Sequence, residues 1–205
     1  MKTVILPARH PEAIKTAIEL LEDGQLVAFP TDTVYGVAAA VFNPQAINKI
    51  YKVKGRQSSK AIPVLLGSQT ELPLVAGQIG YIAARMAARF WPGPLTLVVA
   101  KALDLPSNLS PYPTVGVRVP DHPTALSLLK GAGPLAVTSA NRSGGRNTQT
   151  AEEVYAQLKG QISLIIDGGQ TPGGAPSTVV DCTQAGLIVL RAGPITLERL
   201  QGALE

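Results

Sequence analysis

The stretch "PEAIKTAIELLEDGQLVAFPTDTVYG", residues 11–36, carries a helix pattern, a stop, a strand pattern and a polar loop in immediate succession. Pro11 sits where a first helical turn tolerates proline. Ile14, Ala17, Ile18 and Leu21 recur at helical spacing, and Gly24 ends the run. "QLVAF" then shows no polar alternation, as expected of a strand covered on both faces. The order of helix, buried strand and polar loop points to an α/β sheet protein.

The same pattern extends in both directions along the chain. "NPQAINKIYKVKG" has Asn43 as cap, Pro44 in the first turn and Ile47, Ile50 and Tyr51 on one face. "IGYIAARMAARFWPG" predicts a third helix, and "TAEEVYAQL" a fourth, opened by a capping box from Thr150 to Glu153. Between them lie the strand-like runs "AIPVLL", "PLTLVVA", "VGVRV", "PLAVT", "ISLIID", "STVVD" and "LIVLR". There is no internal repeat and no linker, so residues 1–205 are expected to form one domain, and "DGGQTPGGAPST", residues 167–178, reads as a loop within it.

Composition narrows the chemistry. The chain is 45% hydrophobic and only 16% charged, against roughly 25% charged in average proteins, which implies a sizeable core. One cysteine, Cys182, excludes an internal disulfide. The opening residues break at Pro7 before any apolar run of signal-peptide length, and no run approaches a membrane span, so the expectation is a soluble, cytoplasmic protein. The two histidines, His10 and His122, each lie beside a proline at a helix start, which disfavours a histidine triad or a zinc site. Neither a Walker phosphate loop nor a G-x-G-x-x-G fingerprint occurs.

Positive charge is concentrated in one region. The net charge is only +4, yet from Gly24 to Thr70 Asp32 is the only acid among five bases, Lys49, Lys52, Lys54, Arg56 and Lys60. Polar loops follow several strands: "PTDTVYG", "TSANRSGG", "DGG" and "RAG". They offer Thr31, Thr33, Ser139 and Asn141, with glycines that let backbone amides approach an anion, and in open α/β sheets ligands gather at the carboxyl ends of strands. Together these features describe a phosphate pocket. Each also has a plainer reading: a lysine-rich helix end is commonly a solvated face, "TSAN" and "TDT" serve equally as caps or turns, and an arginine at a strand end is usually solvated.

The motifs "FPTDTVYGV", "KVKGR", "WPGPLTLV", "VGVRVP", "TSANRSGG" and "PSTVVD", followed by "VLRAG", run in this order from about Gly24 to Arg191. In them the chain resembles the YrdC-like family of threonylcarbamoyl-adenylate synthases. The resemblance implies a twisted mixed sheet with flanking helices and a reaction that joins L-threonine, bicarbonate or carbon dioxide, and ATP into threonylcarbamoyl-adenylate and pyrophosphate, for threonylcarbamoyladenosine in tRNA. It implies ATP contacts from Lys54, Arg56, Lys60, Thr114, Ser139, Asn141 and Arg191. Of these, Lys54, Arg56, Ser139 and Asn141 form the catalytic set. L-Threonine contacts fall to Thr33, Arg118, Thr138 and Ser177. Magnesium would arrive with ATP and needs no protein ligand. The product would pass to a downstream tRNA threonylcarbamoyl transferase complex.

Two departures from the family pattern stand out. Longer members carry a further C-terminal domain, whereas this chain stops at Glu205, so a lid is expected from its own loops, with residues 168–177 as candidate, or from a partner. Some members place a histidine where this chain has Leu65, Leu66 and Gly67. The role of Asp32 stays open between substrate deprotonation, magnesium binding and local capping. The main alternative is a domain that binds double-stranded RNA or tRNA without synthase activity. A third reading, a carbamoyl-transfer domain like those of hydrogenase maturation factors, lacks the zinc-finger-like cysteines that accompany such domains.

Overall fold

The computed structural model describes residues 2–172 and 175–205. Its strands are β1 (Val4–Pro7), β2 (Val27–Phe29), β3 (Gly36–Ala40), β4 (Val64–Leu65), β5 (Ala76–Gln78), β6 (Leu95–Lys101), β7 (Thr114–Arg118), β8 (Leu135–Ser139), β9 (Leu164–Asp167), β10 (Thr178–Asp181) and β11 (Ile188–Arg191). The helices are α1 (Ala13–Glu22), α2 (Pro44–Lys54), α3 (Tyr81–Phe90), α4 (Pro123–Ala132), α5 (Ala151–Leu158) and α6 (Leu197–Gly202).

All the strands join one mixed sheet in the order β1-β9-β2-β3-β8-β4-β7-β6-β10-β11, with β5 on β6. The pairs β1–β9, β9–β2, β4–β7 and β6–β10 are parallel, and the rest are antiparallel. The expected α/β class and mixed sheet are both present.

Alternation along the strands assigns each side chain to one of two faces. Leu95, Leu97, Val115, Val117, Ala136 and Val180 point into a large core that also takes Ile47 and Ile50 of α2, Met86 of α3, Val154 of α5 and Leu200 of α6. On the opposite face Val27, Phe29, Ala38, Leu135 and Ile166 pack under Ala17 and Leu21 of α1 and Leu128 and Leu129 of α4. That second layer covers only part of its face, and the remainder is where a cavity opens.

Local signals account for the helix starts. The Asn43 side chain accepts from the Ala46 amide at 3.0 Å, with Pro44 behind it. Thr150 accepts from Glu153 at 3.3 Å, while the Glu153 carboxylate reaches the Gln149 amide at 2.7 Å, one residue before the expected return partner. α1 begins at Ala13, so Pro11 precedes the helix instead of opening its first turn. His122 is the residue before α4, as its proline neighbour signals. No described helix is long and apolar enough to cross a membrane.

Candidate active site

The cavity, of about 390 Å³, lies on the half of the second face that α1 and α4 leave uncovered. That volume falls in the range of small-molecule sites. Its floor is read off the strand alternation: Thr96 and Val98 of β6, Gly116 and Arg118 of β7, Val137 and Ser139 of β8, and Val179 of β10. The loops after β2 and before β10 supply its rim through Thr31, Thr33 and Ser177. The site therefore rests on a sheet face, not at a row of carboxyl ends. The strand-end rule belongs to parallel sheets, and here antiparallel pairs turn neighbouring strands around.

Seven of the expected site residues converge on this cavity: Thr33, Arg56, Arg118, Thr138, Ser139, Ser177 and Arg191. Arg118 is buried and held at three points. Its Nε donates to the Gly93 carbonyl at 2.9 Å, its Nη1 to Thr33 Oγ1 at 3.1 Å, and its Nη2 to the Asp32 carboxylate. The glycine of "WPGP" thus serves to orient an arginine. Burial pushes the Arg118 guanidinium below its ordinary value and Asp32 opposes this, while the nearby Arg191 charge adds to the lowering. Two neighbouring cations that disfavour each other are both relieved by a nearby anion.

The hydroxyls form directed chains. Thr31 Oγ1 donates to the Val34 carbonyl at 2.7 Å and lies 3.0 Å from Thr33 Oγ1. Thr31 Oγ1 also accepts from the Thr33 and Val34 amides at 3.2 and 3.3 Å, while Thr33 Oγ1 accepts from Arg118, which leaves Thr33 a lone pair for a ligand donor. "TDT" is consequently both a turn cap and a cavity wall. At the cavity wall, Arg191 donates to the Ser177 carbonyl from Nε at 3.1 Å and from Nη2 at 2.7 Å, and from Nη2 to Ser177 Oγ at 3.1 Å. Gly193 makes this return possible, because a Cβ there would lie 2.4 Å from the Thr178 nitrogen and 2.7 Å from the Pro176 carbonyl oxygen.

Four expected contacts are placed otherwise. Lys54 is buried, and its ammonium donates to the main-chain carbonyls of Ser139 and Asn141. Asn141 turns its amide inward to the carbonyls of Arg142 at 2.9 Å and Gly145 at 2.7 Å. Both side chains are spent on shaping the loop after β8, which keeps them off the cavity wall. Thr114 opens β7 without lining the cavity, and Lys60 is exposed: its carbonyl accepts from Arg56 Nε at 3.2 Å and Tyr51 Oη at 3.2 Å, and its amide donates to the Gln57 carbonyl at 3.1 Å. Arg56 itself also donates from Nη2 to the Ala61 carbonyl at 2.8 Å, which fixes it at the cavity edge.

The structure adds Thr96, Tyr35, Asn147 and Leu65 to the lining. A lone hydroxyl inside the apolar run "PLTLVVA" is the signal that marks Thr96. No group of three or more metal-ligating side chains occurs among the described residues. The wall offers guanidiniums and hydroxyls, and its neighbouring carboxylate, Asp32, is already paired with Arg118, so the residues present do not fit a protein-held magnesium. Of the candidate lid at 168–177, Gly173 and Gly174 lie outside the described residues. Its first part is tied down: Tyr35 Oη donates to Gly169 O at 2.7 Å and accepts from the Gly168 amide at 3.2 Å, and the Thr171 amide donates to Gln149 O at 2.9 Å.

A mixed sheet with one half-covered face, hollowed into a cavity lined by Arg56, Arg118 and Arg191, has the architecture of the YrdC-like class. Residues 19–193 match the family model Sua5_yciO_yrdC, described as "Telomere recombination". The chain belongs to this Sua5/YciO/YrdC family. It is 40% identical over 197 residues to the threonylcarbamoyl-AMP synthase of Bacillus subtilis, covering 93% of this chain and 56% of that protein. It is 38% identical to the Homo sapiens protein of the same name over 89% of this chain and 67% of that one. The structure of Pyrococcus abyssi Sua5 complexed with L-threonine superposes with a TM-score of 0.94 at 37% identity, over all of this chain and 61% of that one. The chain thus spans little more than half the length of the Bacillus subtilis relative.

Proposed function

We propose that the protein is a threonylcarbamoyl-AMP synthase acting on L-threonine, bicarbonate or carbon dioxide, and ATP. The observation that carries this reading is the convergence of Thr33, Arg118, Thr138 and Ser177 with Arg56, Ser139 and Arg191 on one cavity. The relatives that share its sequence bear that name. An amino acid and a nucleotide both present anions, and the cavity presents separated guanidiniums to receive them.

The chemistry needs no protein nucleophile. The amine lone pair of L-threonine attacks the carbon of carbon dioxide, forming an N–C bond and releasing a proton. A carbamate oxygen then attacks the α-phosphorus of ATP, and the bond to the bridging oxygen breaks as pyrophosphate leaves. Positioning and charge stabilisation suffice for such a displacement. Arg118 and the Thr33 lone pair hold the amino acid, with Thr138 and Ser177 beside them. Arg56, Ser139 and Arg191 face the phosphates, and Lys60 reaches in from the rim. Lys54 and Asn141 act by shaping the loop that follows Ser139. Magnesium accompanies ATP on its own phosphates. The adenylate would serve a tRNA threonylcarbamoyl transferase in the cytoplasm.

The test is direct. Purified protein with ATP, magnesium, bicarbonate and L-threonine should release pyrophosphate and yield the adenylate by mass detection. Pyrophosphate release that ignores the presence of L-threonine overturns the reading. Binding of double-stranded RNA with no turnover under these conditions would favour the alternative.

A further inference from the structure

We infer that Thr96 is a positioning residue that sets the Ser177 hydroxyl against the amino-acid substrate. The inference deepens the synthase reading and rests on it.

Thr96, the second residue of β6, is buried and is the one hydroxyl in the run "LTLVVA". Its Oγ1 lies 2.7 Å from Ser177 Oγ, and either oxygen can donate. Ser177 Oγ already accepts from Arg191 Nη2 at 3.1 Å. With that bond in place the serine has one hydrogen to give and one lone pair left. In the empty cavity it can donate to Thr96. When a ligand acceptor arrives, the serine hydrogen turns to the ligand and Thr96 supplies its own hydrogen in return. Thr96 therefore makes Ser177 either donor or acceptor without leaving a buried hydroxyl unpaired, a state that is costly.

The orientation of Thr96 is itself constrained. A Cβ built on Gly116 would lie 3.1 Å from Thr96 Cγ2 and 3.7 Å from Pro63 Cβ. The threonine methyl thus occupies the space above Gly116. A β-branched side chain with one arm so placed has its hydroxyl directed elsewhere, here to Ser177. The bare strand at position 116 is part of the device, consistent with glycine in a strand interior marking close approach.

The experiment replaces the hydroxyl while keeping the shape. Thr96→Val should weaken L-threonine binding about 5- to 10-fold by calorimetry in the presence of ATP, the size of one lost hydrogen bond in a buried network. ATP affinity should change less than about twofold, and Thr96→Ser, which keeps the hydroxyl but not the methyl that aims it, should restore part of the L-threonine affinity. In a Ser177→Ala background the same Thr96→Val change should have no further effect, since coupled residues are non-additive. Circular dichroism and thermal unfolding establish that each variant is folded. Equal L-threonine affinity for wild type and Thr96→Val overturns the inference alone, as does an additive double variant. A wild-type protein that binds no L-threonine overturns the synthase reading and the inference with it.

Discussion

Lys54, at the last turn of α2, gives its ammonium to the main-chain carbonyl of Asn141, two residues beyond the end of β8. The Ser139 carbonyl takes a second of its hydrogens, and the Ser143 amide donates back to the Lys54 carbonyl at 2.8 Å. The basic residue that reads in sequence as a phosphate ligand is a clamp on a loop.

That placement predicts a stability effect with a particular pH dependence. Lys54→Met removes donors from two carbonyls and should destabilise the fold by about 2 to 4 kcal/mol in urea unfolding. Burial, aided by the Arg56 charge, pushes Lys54 down from 10.5 to about 7. The unfolded chain therefore binds more protons than the folded one between about pH 7 and 10.5. The contribution of Lys54 to stability rises across that window, because the neutral amine keeps two N–H donors for the two carbonyls. The penalty of Lys54→Met should accordingly be larger at pH 9 than at pH 6, and an equal penalty at both would place the lysine in solvent.

Arg118 and Asp32 form a largely buried ion pair, so removing one partner leaves the other uncompensated. Arg118→Ala should cost about 3 to 5 kcal/mol of stability as well as L-threonine affinity. Asp32 Oδ2 already lacks a hydrogen-bond partner, which sharpens the penalty. Combining Arg118→Met with Asp32→Asn should recover part of the stability and none of the L-threonine binding. Thermal unfolding together with calorimetry separates the two, and recovery of binding in the double variant would remove Arg118 from the amino-acid site.

How far the sequence leads depends on whether a residue's signal is local. Asn43 and Thr150 are legible because capping is decided within four residues. β3 is not: "GVAAA" has weak strand propensity and becomes a strand only by pairing with β2 and β8. α4 shows its start at His122 and Pro123, but "TALSLLKGA" lacks a strong polar face. In the site, the motif order names loops that meet at one cavity, whereas the direction of Lys54 and Asn141 depends on carbonyls left unpaired by a turn that sequence spacing does not display. Thr96 is hidden for the converse reason. Its role depends on Ser177, 81 residues away.

The basic cluster should divide by function. Arg56 lines the cavity and is fixed by the Lys60 and Ala61 carbonyls, so Arg56→Ala should reduce ATP affinity by at least tenfold, the loss of a charge-assisted contact. Lys60, exposed at the rim, should cost less and in a salt-dependent way. Lys49 donates to the Gly24 carbonyl at 2.7 Å, away from the cavity, so Lys49→Ala should leave ATP affinity unchanged. Nucleotide titrations at two salt concentrations rank the three, and equal small effects would make the cluster a solvated face.

Tyr35 provides the last test, because it fixes the segment expected from sequence to move. Its hydroxyl donates to the Gly169 carbonyl at 2.7 Å and accepts from the Gly168 amide at 3.2 Å, while its ring is fully buried beside the cavity. Tyr35→Phe keeps the ring and strips both partners, which should cost about 1 to 3 kcal/mol and accelerate hydrogen exchange at Gly168. Burial raises the Tyr35 hydroxyl from 10.0 to about 12. A raised value means that its stabilisation is complete below pH 10 and is lost as the pH passes through about 12. The stability gap between wild type and Tyr35→Phe should therefore be constant from pH 7 to 9 and close in strong alkali. A Gly168 amide that exchanges freely in wild type, or a gap that does not close, would mean that the loop after β9 is not held by this tyrosine.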